Sequence, residues 1–151
     1  MANELPAITL RVIGVVKNKL NQAESTRDNR WEVVSEIIFD DSLTEALDGL
    51  EEYSHITVLW WMHLLASREE RLKVHPMRRE EFPLKGVFAL RTPYRPNPIG
   101  KTTVKLLERH GNTLKVKGLE ALNGSPIIDI KPYLPRYDSA ADAKVPLWNS
   151  E

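Results

Sequence analysis

Two arginines four residues apart, Arg91 and Arg95, stand among Pro93, Pro96 and Pro98. Each proline fixes its own φ, removes an amide donor and holds the residue before it extended. The stretch 91–100, Arg-Thr-Pro-Tyr-Arg-Pro-Asn-Pro-Ile-Gly, is therefore a stiff, non-helical run. It presents two guanidinium groups with little conformational freedom left to lose. Guanidinium does not deprotonate in proteins, so Arg91 and Arg95 bind anions or stack on planar groups and do not act as bases. A solvated proline-rich surface loop has the same composition; stiffness joined to charge favours a binding site.

A second set lies at 125–133, where a strand would put Asp129, Lys131 and Tyr133 on one face and Ile128 and Ile130 on the other. An acid, a base and a phenol in line form either a cross-strand polar ladder or the wall of a polar pocket. The turn before them, Ala121-Leu122-Asn123-Gly124, has the Asn-Gly signal of a tight reversal. His55 and His63 share one face of an apolar run over 53–65. No His-x-x-x-His pattern or carboxylate cluster accompanies them, so no metal site is expected.

These groups are positioned by short β-rich segments. The β-branched run 8–16 reads as a first strand, 31–39 as a second, and 53–65, rich in aromatic and β-branched residues, as a third. Ser42-Leu-Thr-Glu45 is a capping-box pattern for a short helix through Leu47, ending near Gly49. The polar segment 17–31 reads as a loop, and 67–83, charged throughout, as an exposed loop able to present phosphate-binding residues. A strand over 86–90 leads into the stiff loop. Extended chain over 102–109 then turns at His110-Gly-Asn-Thr113 into 114–119. Short strands without β-α-β alternation indicate a mainly β domain. None of the seven glycines forms a Gly-x-Gly-x-x-Gly or Walker loop, which argues against a Rossmann nucleotide site.

Composition excludes several classes. The 151 residues suit one domain and hold no cysteine, so disulfides, thiolate metal sites and a cysteine nucleophile are absent. Basic and acidic residues balance at 21 each, yet 68–105 holds ten Lys/Arg against four Glu, while 40–52 carries six carboxylates. A neutral total thus hides a basic segment. No apolar run reaches the ~20 residues of a membrane span. Glu4, Arg11 and Lys17 interrupt the apolar N-terminal residues, which is unlike a secretion signal. A cytoplasmic protein is expected.

The string at 91–100 resembles the Arg-Ser-Pro-Phe-Arg-Pro-Asn-Pro-Ile-Gly signature of the TsaA-like family. Asp129-Ile-Lys-Pro-Tyr-Leu-Pro135 is similar to that family's other hallmark. The family comprises S-adenosylmethionine-dependent tRNA methyltransferases built on a small β-barrel. The resemblance covers about residues 10–137 and departs from the family over 17–31, where its Ser-Pro and Pro-Arg-Gln-like elements are missing. It implies a single-domain, non-Rossmann β-barrel with one or two short helices over 1–137; beyond it, Val145-Pro-Leu-Trp148 in the polar tail over 138–151 suggests that the tail docks on the barrel or on a dimer partner. It implies S-adenosyl-L-methionine contacts at His63, Leu64, Arg91, Lys101 and the turn Ala121, Leu122, Asn123 and Gly124, whose backbone amides would serve the donor. Arg95 and Asn97 would hold the substrate, with Asp129 as proton acceptor and Lys131 and Tyr133 beside it. The implied reaction is N6-methylation of a threonylcarbamoyl-bearing adenosine beside the tRNA anticodon, by a homodimer. A methyltransferase of another RNA or a small molecule, and a non-catalytic cofactor-binding module, are the competing readings.

Overall fold

The computed structural model describes residues 4–21, 29–62 and 70–149. Six antiparallel strands close into a barrel: β1 (Gly14–Lys17), β2 (Val34–Phe39), β3 (His55–Trp61), β6 (Ile99–His110), β7 (Thr113–Lys117) and β8 (Pro126–Pro132). The order around the barrel is β1-β2-β7-β6-β3-β8, with β8 returning to β1. A separate two-stranded ribbon joins β4 (Lys73–Val74) to β5 (Lys85–Gly86). One helical turn, α1 (Pro135–Asp138), and several 3-10 turns complete the chain. The barrel with its short helices is the architecture expected from the sequence.

Alternation builds the core. On β6, Gly100, Thr102 and Val104 point inward, while Ile99, Lys101 and Thr103 face out. Ile37, Phe39, Ile56, Val58, Trp60, Leu114, Val116 and Ile127 fill the interior from the other strands. The inward face of β3 is therefore Ile56, Val58 and Trp60, and His55 stands on the outside.

Four details differ from expectation. The first strand begins at Gly14 because backbone pairing with β2 and β8 begins there; Ile8, Leu10 and Val12 are exposed. The helix after β2 is a 3-10 segment, Asp41–Leu47, and its cap is Asp40, whose carboxylate accepts from the Ser42 amide at 2.9 Å. Only Lys85 and Gly86 of the segment 86–90 and its border pair as a strand; Val87–Ala89 winds into a 3-10 turn that buries Val87 and leaves Phe88 out. On β8, Ile127 rather than Ile128 reaches the core, because the register with β3 slips between Leu59 and Trp60. That bulge lets Ile127 and Ile130 both pack inward across one extra residue.

Candidate active site at the barrel rim

A cavity of about 630 Å³ opens at the end of the barrel where β6 begins. Its floor is Trp60, seated against Gly100 across the β3–β6 pair. A Cβ on Gly100 would lie 2.4 Å from Trp60 Cε2, so the glycine that closes the proline-rich loop is required by the indole beneath it. Phe88, Leu90, Ile99 and Leu122 supply apolar wall, and Arg91, Arg95, Asn97 and Lys101 supply the polar edge. The size suits a drug-sized or nucleoside-sized ligand.

The loop is held by its own arginine. Arg95 Nη1 donates to Leu90 O at 2.8 Å, and its guanidinium lies 5.9 Å from the Phe88 ring centroid. Asn97 O accepts from Ile99 N at 2.7 Å, and Pro98 O from Met62 N at 2.8 Å, which ties the loop to the end of β3. Among the described residues no carboxylate pairs with Arg91 or Arg95, so both present charge to the cavity or to solvent.

Glu120 also lines the cavity and was not singled out from the sequence. Thr102 Oγ1 donates to its Oε1 at 3.2 Å, and Arg30 Nη1 lies 3.4 Å from its Oε2. The only available signal was its place, directly before the Ala121–Gly124 turn. It gives a largely cationic pocket one acceptor wall, suited to an ammonium, amino or hydroxyl group.

The pocket thus gathers Arg91, Arg95, Asn97, Lys101 and Leu122. Among the described residues of the predicted set, Ala121, Asn123, Gly124, Asp129, Lys131 and Tyr133 are not in its lining. Ala121 is buried and its carbonyl accepts from Asn18 Nδ2 at 2.9 Å. Two of the turn's amides are already spent within the protein: Asn123 N donates to Leu20 O at 2.7 Å and Gly124 N to Val16 O at 2.8 Å. Asn123 Oδ1 accepts from Asn18 N at 3.0 Å. The turn is consumed in bracing residues 16–20, which correct hydrogen-bond accounting requires of a half-buried reversal. Gly124, at φ +84°, serves the turn's geometry.

Asp129, Lys131 and Tyr133 lie outside the cavity lining, on the outer barrel face. Asp129 and Lys131 pair at 3.1 Å, with the carboxylate side chain 43% exposed. Tyr133 donates its amide to His55 O at 3.1 Å, and its ring meets His55 edge-on with centroids 6.5 Å apart. Leu59 is in register with Lys101 on one side and Asp129 on the other. Two strand spacings, about 10 Å, therefore separate Lys101 from Asp129 along one outward row. His63 and Leu64 lie outside the described residues.

Among the described residues the carboxylates held below their ordinary range are Asp40, Glu51, Glu81 and Glu108, and none of them lines the cavity. Among the described residues no group of three potential ligands stands ready for a metal ion, and no helix is long and apolar enough to cross a membrane.

Fold and pocket together define a closed antiparallel barrel with an arginine-lined cavity on its rim, outside the Rossmann type. The chain belongs to the tRNA-methyltransferase O N-terminal domain family, whose model matches residues 21–139. This bears out the resemblance carried by 91–100 and 129–135. An Archaeoglobus fulgidus protein named "S-adenosyl-L-methionine-binding protein" is 46% identical over 131 residues, 85% of this chain and 91% of the relative. The human "tRNA (adenine(37)-N6)-methyltransferase" is 38% identical over 102 residues, 68% of this chain and 23% of the human one. A solved structure, "Crystal structure of TrmO", superposes with a TM-score of 0.76 at 30% identity, covering 93% of this chain and 64% of that one. The chain thus spans less than two thirds of that TrmO chain, and 37% of another, longer Archaeoglobus fulgidus relative.

Proposed function

We propose that this protein binds S-adenosyl-L-methionine in the rim cavity and methylates N6 of an adenosine beside the tRNA anticodon. The observation that carries the reading is the convergence of Arg91, Arg95, Asn97 and Lys101 on one cavity with an apolar floor and, among the described residues, a single carboxylate, Glu120. Family membership and the human relative's name supply the reaction class.

The residues present fit the donor. A guanidinium such as Arg91 matches a carboxylate in bidentate fashion. Glu120 matches an ammonium or a ribose hydroxyl, and Trp60, Ile99 and Leu122 match apolar and planar surface. When bound, the sulfonium supplies the methyl group and its own leaving group. The protein needs no nucleophile; it has to align the acceptor and exclude water. The stiff loop is built for this, because three prolines, the Arg95–Leu90 bond and the Met62–Pro98 bond fix the edge that faces the acceptor. Arg95 and Asn97 border the acceptor side. Asp129, on the same outward row as Lys101, is assigned as proton acceptor, with Tyr133 as an aromatic surface near it. On this reading residues 1–137 form the barrel unit, the tail from 138 onward docks on it or on a second copy of a cytoplasmic homodimer, and the partner completes the acceptor side.

The test is radiolabelled donor with total tRNA, followed by nucleoside digestion and mass spectrometry. A methylated adenosine nucleoside, threonylcarbamoyl-bearing or not, is expected from the wild type and not from Arg91→Ala. Donor binding without any methylated tRNA nucleoside would leave the pocket and remove the substrate. Undiminished turnover in Asp129→Asn would remove the proton-acceptor role.

A further inference from the structure

Arginine pairing in this molecule is uneven. Among the described residues Arg30, Arg79 and Arg109 have carboxylate partners. Arg11 and Arg136 donate to hydroxyls of Ser42 and Tyr137. Of the six described arginines without a carboxylate partner, the other four, Arg71, Arg78, Arg91 and Arg95, all fall on the β4–β5 ribbon or the adjoining proline-rich loop, and of the four only Arg95 donates to a protein acceptor, Leu90 O. In a chain with 21 carboxylates and no net charge, that segregation points to an anion from outside.

Two of the four lie on the ribbon side, and the structure holds each of them there. Arg71, next to β4, lies over the Tyr94 ring at 4.7 Å, a cation–π contact that restrains the guanidinium. Arg78 sits at the ribbon's tip in a backbone conformation that side chains rarely adopt. Met77 and Arg78 have φ of +53° and +58°, consecutive left-handed residues that cost about 1 kcal/mol or more each. The turn is clamped from both sides: Pro76 is buried, and His75 Nδ1 donates to Phe82 O at 2.8 Å. Strain maintained by such bracing marks a tip whose shape is used.

The ribbon is continuous with the cavity. Val87 N donates to Leu72 O at 3.0 Å, and the next residue, Phe88, stands 76% exposed at the cavity's edge with Arg95 near its ring. An exposed aromatic face beside unpaired guanidinium groups suits unstacked bases and backbone phosphates.

We infer that the β4–β5 ribbon with the proline-rich loop is an RNA-docking surface, on which Arg71 and Arg78 hold phosphates of a single-stranded loop whose target base reaches the cavity past Phe88. This rests on the tRNA reading above. Leu72, Met77 and Leu84 are also exposed on the ribbon, so a second copy of this chain is the rival occupant. It is the less favoured one, since a protein interface would desolvate unpaired guanidinium groups that a phosphate chain neutralises one by one.

The experiment measures affinity for an in-vitro-transcribed anticodon stem-loop across a salt series, with the full chain and with Arg71→Ala and Arg78→Asn. Asparagine tolerates the left-handed backbone at 78, so charge is removed without adding strain. Each lost phosphate contact lowers the log–log salt slope by about 0.7, which is about a fourfold loss at 0.15 M salt that vanishes toward 1 M. Donor affinity by calorimetry is unchanged in both variants. Unchanged RNA affinity and slope in both, with wild-type methyl transfer to tRNA intact, overturns the surface and leaves the function. A wild type that binds donor but shows no salt-dependent affinity for the stem-loop overturns both. A fall in sedimenting mass in Arg71→Ala, with RNA affinity unchanged, assigns the ribbon to contact between copies and overturns the RNA surface.

Discussion

Gly100→Ala is a single added methyl, and the structure makes it costly. The new Cβ would lie 2.4, 2.5 and 2.8 Å from three atoms of the Trp60 indole, where ordinary contact begins near 3.4 Å. The ring must therefore move by about 1 Å, yet Trp60 is 5% exposed and packed within the barrel core. Overpacking of this kind costs about 1–3 kcal/mol. For a domain of this size each kcal/mol lowers Tm by about 2–4 °C, so a fall of about 2–12 °C is expected in a thermal melt. Because the indole is also the cavity floor, donor affinity should drop with stability, by about tenfold. A double-mutant cycle isolates the cause. Trp60→Leu vacates the space, so Gly100→Ala should cost at least about 1 kcal/mol less in that background than in the wild type. Additive costs, or a Gly100→Ala protein that melts and binds as the wild type does, would refute the claim that the indole dictates glycine at 100.

Other positions give sharper separations of stability from binding. Asn18 Nδ2 reaches Ser35 Oγ and Ala121 O while its Oδ1 accepts from Leu20 N, so Asn18→Ala should cost about 1–3 kcal/mol by urea unfolding and loosen the 121–124 turn. Glu120→Ala should lower donor affinity while costing under about 1 kcal/mol of stability, since its pair with Arg30 is well exposed; calorimetry and a melt read the two separately. Arg109, 15% exposed, donates to Thr44 O and Gly111 O and pairs with Asp48 and Glu51, so Arg109→Ala should lower the urea midpoint and let the Glu51 carboxyl, held low first by its own backbone amide and then by Arg109, rise part of the way toward its ordinary value. Asp40 is held low by the Ser42 hydroxyl and then the Ser42 amide. A lowered carboxyl stabilises the fold above its unfolded pKa, and that contribution is lost as pH falls through the folded value, below about pH 4. Ser42→Ala should move the Asp40 titration upward in an NMR pH series.

What could be read from the residues alone followed from local chemistry. Three prolines and two arginines announced a stiff cationic loop, and the loop does border the cavity with Arg91, Arg95 and Asn97. Asn-Gly and His-Gly-Asn-Thr announced reversals: β6 turns into β7 at the second, and the first is a turn just ahead of β8. The misses are non-local. Nothing in Ile8–Thr–Leu–Arg–Val shows that its neighbours pair only from Gly14, because pairing depends on β2 and β8. The bulge that swaps Ile127 for Ile128 is a property of the β3–β8 register. The amides of 123 and 124 looked free because Val16 and Leu20, over a hundred residues earlier, are invisible from the turn. Glu120 escaped notice because a lone glutamate is ordinary until Thr102 and the cavity are placed beside it.

The arrangement also says why such a small barrel can carry the proposed chemistry. A closed sheet has no crevice at a switch point, so a ligand site has to be built on its rim from loops. Loops give precision only when their own entropy is removed beforehand. Here prolines, a glycine dictated by an indole, and one arginine bonded to its own loop remove it. The cost is that the loop itself brings no carboxylate acceptor to the cavity, and Glu120, with the further cation Lys101, is lent from outside it. Substitutions in the loop should therefore act chiefly on donor affinity, while those at Gly100, Trp60 and Asn18 should move affinity and stability together. If Arg91→Ala instead melted markedly earlier with donor affinity intact, the loop would be a structural strap and the site would have to be sought elsewhere on the barrel.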